Sequence, residues 1–171
     1  FLRPRGGPDE NVAAAPKAYD VPPSTVAAVT GVHVDCSRFA AHLHNAEFPK
    51  ELGARSAAVE QDFSRDTPYP DLSGMGYKLI GAGPCRAPLA NTVHLLYRST
   101  VKDLNDTLSV FVQPVDAQPK LEPGKFYLVS DPASAHPAFA WRTAGAVYFL
   151  VGDEKETTER ARAALAVAAK L

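Results

Sequence analysis

The stretch AWRTAGAVYFLVGDE, Ala140 to Glu154, with the segment behind it, restricts the fold more than any other part of the chain. Ala138 to Trp141 is a short apolar run, and Thr143-Ala144-Gly145 is a turn with glycine where positive φ is easiest. Ala146 to Val151 is a second run, β-branched and aromatic, as a strand buried on at least one face requires. Gly152 breaks it, and Asp153 with Glu156 three residues on has the form of a capping box, with Asp in place of Ser or Thr. From Glu154 the periodicity is helical: Ala161, Ala164, Leu165, Ala168 and Leu171 share a face, with Glu154, Glu159, Arg160 and Arg162 mostly off it. Strand, tight turn, strand, helix commits the chain to a layered α+β domain.

With 171 residues and 46% hydrophobic content, one domain with a real core is expected. Net charge is −1, from 18 basic and 19 acidic residues, so no basic excess invites nucleic acid. No apolar run reaches the roughly 18 residues that a membrane span needs. The first residue is Phe1 rather than Met, as expected of a mature fragment whose signal peptide or anchor lies elsewhere. The two cysteines, Cys36 and Cys85, are too few for a disulfide scaffold. In an oxidising compartment they could form one bridge worth roughly 4 kcal/mol of loop entropy. In a reducing one they would be buried apolar residues.

Residues 1–24 hold five of the 15 prolines and no periodic apolar face, and read as a flexible leader; residues 25–171 read as the domain. Val32 to Asp35 is expected as a strand. Ser37 would cap a helix carrying Phe39 and Leu43, and Ser56 to Arg65 would be a second short helix. Thr67 to Asp71 is irregular because of Pro68 and Pro70. Beyond Leu72 the character turns to strands: Tyr77 to Ile80, a sharp turn at Gly81 to Pro84, Thr92 to Arg98, Thr107 to Gln113 and Phe126 to Ser130. Ser99 to Asp106 is a polar loop. Helices first, then hairpin-connected strands closed by a helix, predict a mostly antiparallel sheet packed against helices.

The densest set of chemically capable side chains is His33, Asp35, Cys36, His42 and His44. His33, Cys36, His42 and His44 could ligand zinc or copper, because neutral imidazole and thiolate suit both ions. Against this, the standard zinc spacings are missing, and His42 and His44 would point about 200° apart on a helix. The G-x-S-x-G elbow, the P-loop, the dinucleotide fingerprint and H-E-x-x-H are all lacking, which argues against an enzyme and against a cofactor. A nucleophile built from Asp35, Cys36 and His42 rests on no motif. Trp141 and His94 are expected to be structural, with His94 facing opposite to Val93 and Leu95.

Four segments, PDLSGMGYKLIGAG (Pro70 to Gly83), HLLYRS (His94 to Ser99), LSVFVQP (Leu108 to Pro114) and AWRTAGAVYFLVGDE, carry a resemblance. In this order, and with the final helix, they resemble the extracytoplasmic C-terminal domain of bacterial transmembrane anti-sigma factors of the zinc-binding type. The resemblance covers about 100 residues through moderately specific hydrophobic motifs. It implies a non-enzymatic sensory or regulatory module outside the inner membrane, in the periplasm, with the proline-rich leader as its tether. The membrane would be reached through an anchor outside these residues, and a sigma factor through an inner domain also outside them. A regulatory protein or a protease would be the direct partner. In that oxidising compartment the resemblance favours a Cys36–Cys85 disulfide. The chain departs from the group in lacking the zinc-binding anti-sigma segment, and in the ligand-rich stretch from Val32 to Phe48.

Overall fold

The computed structural model describes residues 17–18, 21–38, 70–85, 88, 92–102, 104–114 and 121–168. Its strands are β1 (Lys17–Ala18), β2 (Tyr77–Cys85), β3 (Thr92–Ser99), β4 (Thr107–Pro114), β5 (Phe126–Leu128), β6 (Ala138–Arg142) and β7 (Ala146–Gly152). They form one sheet in the order β1-β5-β6-β7-β4-β3-β2. Every pairing is antiparallel except that of β1 with β5. Helix α1 (Pro23–Arg38) covers one face and helix α2 (Lys155–Ala168) the other. The α+β class and the antiparallel sheet closed by a C-terminal helix are as the patterning predicts.

β7 lies between β4 and β6 and is buried along its whole length. Its alternation sorts the core into two layers: Val147, Phe149 and Val151 face α1, while Tyr148 and Leu150 face α2. On the α2 side Phe126, Trp141 and Tyr148, register partners on β5, β6 and β7, stack in a ladder with centroid spacings of 4.9 and 4.8 Å. Trp141 is therefore core, as expected. The hairpin turn is held by the Thr143 hydroxyl, which accepts the Gly145 and Ala146 amides.

Several expectations are corrected. Val32 to Asp35 is helix, not strand, because it continues a turn begun at Pro23, whose ring presets φ at the first helical position. The Pro22 carbonyl accepts the Thr25 amide at 2.8 Å, and the β-branched residues follow the helix that packs on the sheet. Ser37 caps no helix start: it sits in the last turn of α1, where its hydroxyl donates to the Val34 carbonyl. The helices expected from Phe39 and from Ser56 lie outside the described residues. Gly81 to Pro84 is no turn but the second half of β2, paired from Gly81↔Leu96 to Cys85↔Thr92 after a bulge at Leu79/Gly81. β2 is the sheet edge, where proline sacrifices no ladder bond. The leader joins the fold earlier than Thr25, since Lys17–Ala18 pairs with β5 and Val21 is buried.

The apolar face of α2 is rotated from the predicted one. Thr158, Ala161, Arg162 and Leu165 are buried, whereas Ala164 is exposed. Arg162 tolerates burial because its Nε donates to Glu159 at 2.7 Å and its guanidinium lies over the Phe139 ring. Gly152 is required by the close approach of α2. A Cβ there would lie 1.9 Å from Thr158 Oγ1 and 2.9 Å from Leu108 Cδ2.

Candidate functional site

The face that β3 and β4 turn toward α1 carries polar groups where the opposite face is apolar. Thr92, His94, Thr107, Ser109 and Gln113 alternate with Val93, Leu95, Leu108, Val110 and Val112, and all are buried. Buried polar side chains need partners. Gln113 donates to Thr92 at 3.0 Å, while Ser109 and His94 find theirs in a chain of hydrogen bonds that runs through α1 to the β7–α2 junction.

Among the described residues of α1, Val29 and His33 are the buried side chains, one turn apart on the same face. His33 Nδ1 lies 2.8 Å from Ser109 Oγ, and Nε2 lies 3.0 Å from Asp153 Oδ1. Ser109 Oγ is also 2.8 Å from His94 Nε2, and the His94 ring stacks on Phe111 at 4.5 Å. Asp153 Oδ2 accepts the Thr107 amide at 2.9 Å and the Thr107 hydroxyl at 2.6 Å. With both oxygens so engaged, Asp153 ties the β7–α2 junction to β4 and α1; the capping-box reading of Asp153 and Glu156 is corrected.

The proton order follows from the acceptor-only carboxylate at one end. Asp153 requires a hydrogen on His33 Nε2, so in neutral His33 the Nδ1 lone pair accepts from Ser109. The Ser109 oxygen then accepts from His94 Nε2–H. Burial works against the Asp153 carboxylate, but hydrogen bonds from His33 and Thr107 outweigh it and hold its pKa down at about 2. His94 is driven down to about 3, by burial first and by the charge of His33 second, so it is neutral at physiological pH.

Ser109, His33 and Asp153 have the composition of a hydrolase triad, but His33 and Ser109 are both 0% exposed. The serine sits within a central strand with its hydroxyl between two imidazoles. Neither group is open to solvent, and the set forms a clasp that ties α1 to the sheet.

At its outer end the clasp meets His136, in the loop between β5 and β6. That loop is built to hold position: Asp131 accepts the Ala133 amide at 2.7 Å, Ser134 accepts the His136 amide at 3.2 Å, and Pro137 O accepts the Gly152 amide at 3.4 Å. His136 Nδ1 is 3.3 Å from the Gly152 carbonyl and 4.0 Å from Asp153 Oδ1. Its ring centroid lies 5.6 Å from that of His33. One donor atom from each of His33, His136 and Asp153 falls within 4.8 Å of the other two. His136 is 30% and Asp153 25% exposed, so the group opens to solvent.

Of the ligands predicted from sequence, His33 belongs to this cluster and Cys36 does not; His42 and His44 lie outside the described residues. Cys36 and Cys85 stand as thiols, both partly buried. Burial first, then the charge of Cys85 and that of Asp35, raise the Cys36 pKa. Asp153 and His136 escaped sequence reading as ligands because they lie 120 and 103 positions from His33 (153 − 33 and 136 − 33). The legible signal was polar residues, His94 and Ser109, at alternate positions of otherwise apolar strands. No family model, curated protein or solved structure matches the chain. No helix among the described residues is long and apolar enough to cross a membrane.

Proposed function

We propose that this chain is a non-enzymatic, extracytoplasmic sensory domain of a membrane-anchored regulator of the anti-sigma-factor kind, in which α1 is a releasable element. One observation carries the releasable helix: α1 docks through Val29 and His33, so half of its deeply buried contact is a polar clasp. A helix held by Val29, by the partly buried Val26 and Val32 and by a directional hydrogen-bond chain opens at lower cost than the sheet beneath it. An open groove of about 820 Å³ further undercuts its first turns, between Val21, Val26 and Thr30 on one side and Val129, Ser130 and Asp131 on the other. The motif resemblance supplies the rest of the reading: the chain ahead of β1 leads to the membrane, and a change in α1 docking alters contact with a regulatory protein or access for a protease. Burial of Ser109 and His33 supports a non-enzymatic role.

The test is made in the host, on the full-length protein carrying an epitope after Leu171. Protease added to intact spheroplasts should remove the epitope. Protection until the membrane is lysed would overturn the extracytoplasmic assignment.

A further inference from the structure

We infer that His33, Asp153 and His136 form a binding site for a divalent transition-metal ion of the zinc class, and that the ion pins α1 to the sheet. The donors converge from three parts of the chain: α1, the β7–α2 junction and the β5–β6 loop. Nε2 of His33 and Oδ1 of Asp153 are 3.0 Å apart, and Nδ1 of His136 is 4.0 Å from the same oxygen. Ligand atoms around a tetrahedral zinc ion, at bond lengths near 2.0–2.1 Å, are separated by about 3.4 Å. Release of the long 3.3 Å bond from His136 Nδ1–H to Gly152 O, with the ring hydrogen carried on Nε2 instead, and a small movement of the ring would bring Nδ1 in as the third donor. Two imidazoles and one carboxylate suit zinc and its neighbours rather than magnesium or calcium. The solvent-facing side leaves room for water as a further ligand.

The groups behind the donors are those a metal site needs. Asp153 Oδ2 is fixed by two hydrogen bonds from Thr107, leaving Oδ1 for the ion. Behind His33, the chain through Ser109 to His94 can run in either direction. In the metal-free order His94 Nε2–H donates to Ser109, Ser109 to His33 Nδ1, and His33 Nε2–H to Asp153. With a metal on Nε2, the His33 hydrogen sits on Nδ1 and donates to Ser109, Ser109 donates to His94 Nε2, and the His94 hydrogen moves from Nε2 to Nδ1. The hydrogen count over the two neutral imidazoles and the hydroxyl is the same in both orders. The ion replaces the His33–Asp153 hydrogen bond with two coordinate bonds and adds His136 as a third attachment.

The binding site stands independently of the proposed function; its meaning as a signal, with metal holding α1 down, rests on that reading. The purified chain is titrated with zinc chloride by calorimetry, and with cobalt(II) followed by visible absorption. One equivalent of zinc should bind, and its presence should slow amide exchange in residues 23–38. His136→Ala removes a partly exposed ligand and leaves the buried clasp intact, so it should fold. It should weaken zinc at least tenfold and abolish the slowing of exchange. A Cys36→Ser/His42→Ala/His44→Ala variant should bind as the parent does. No saturable binding, binding unchanged by His136→Ala, or binding lost in the triple variant would each overturn the site; binding without slowed exchange would overturn the pinning. These readouts use purified protein, so they are independent of the spheroplast result.

Discussion

His33 Nε2 and Asp153 Oδ1 meet at 3.0 Å across 120 residues of chain, and through that contact the first helix is joined to the start of the last one. The His33 side of the contact is fully buried and the Asp153 side is partly open to water. Loss of either partner is therefore felt unequally.

His33→Ala should destabilise the domain by about 2–4 kcal/mol, since it strands a buried Ser109 hydroxyl and opens a cavity beneath α1. Amide exchange should show α1 opening well before the sheet. If α1 and β7 lose protection together, the helix is not a separable element.

Acid should weaken the fold between pH 6.5 and about 3 through His94. Its pKa is depressed in the native state, so over that window the unfolded chain binds a proton that the folded one excludes, and stability falls as pH falls. The slope from this group is at most about 1.4 kcal/mol per pH unit. His94→Gln keeps a donor for Ser109 without titrating. Denaturant melts from pH 7 to 4 should show a shallower loss in the variant; equal slopes would assign the acid sensitivity to other groups.

Gly152→Ala should cost roughly 1–3 kcal/mol, the range for forcing extra volume into a packed core. The atom it strikes, Thr158 Oγ1, is itself held by a 2.5 Å hydrogen bond to the Glu154 carbonyl and cannot swing away freely. In a Thr158→Ala background the penalty should shrink, because one of the colliding atoms is gone. Strict additivity of the two substitutions would show that the collision is relieved elsewhere.

Leu165→Ala should destabilise by roughly 2–4 kcal/mol, as a truncated core leucine does. Leu165 is 9% exposed and packs with Tyr148 and Leu150 in the same core layer. The exposed Ala164, one residue earlier, should tolerate serine at a cost below about half a kcal/mol. Melts in which both changes cost the same would misplace the buried face of α2.

Protein recovered from an oxidising compartment should carry a Cys36–Cys85 bridge and weigh about 2 Da less than the dithiol. In the reduced protein, the raised pKa of Cys36 makes the thiolate scarce, so alkylation at pH 7 should be slow and quicken with pH. A dithiol mass from periplasmic material would remove the redox part of the extracytoplasmic reading.

Local pattern was enough to determine the class of fold, most of its elements and the burial of β7. Alternation in Val147 to Val151, the Thr143 turn and the periodicity of α2 are set by residues within a few positions of one another, where steric preference and backbone geometry act directly. Tertiary structure decided the rest. Val32 to Asp35 has strand-forming residues, yet it is helical because Val29 and His33, spaced one turn apart, match the surface offered by β4 and β7. Arg162 faces inward because Phe139 and Glu159 make a place for its charge. The clasp could not be read from spacing, since His33, Ser109, His136 and Asp153 become neighbours only when the crossing of β7 between β4 and β6 brings α1, the β5–β6 loop and the start of α2 to one end of the sheet. Sequence marks such residues as polar and oddly placed; the hydrogen bonds that make their burial affordable exist only once the strands have been ordered.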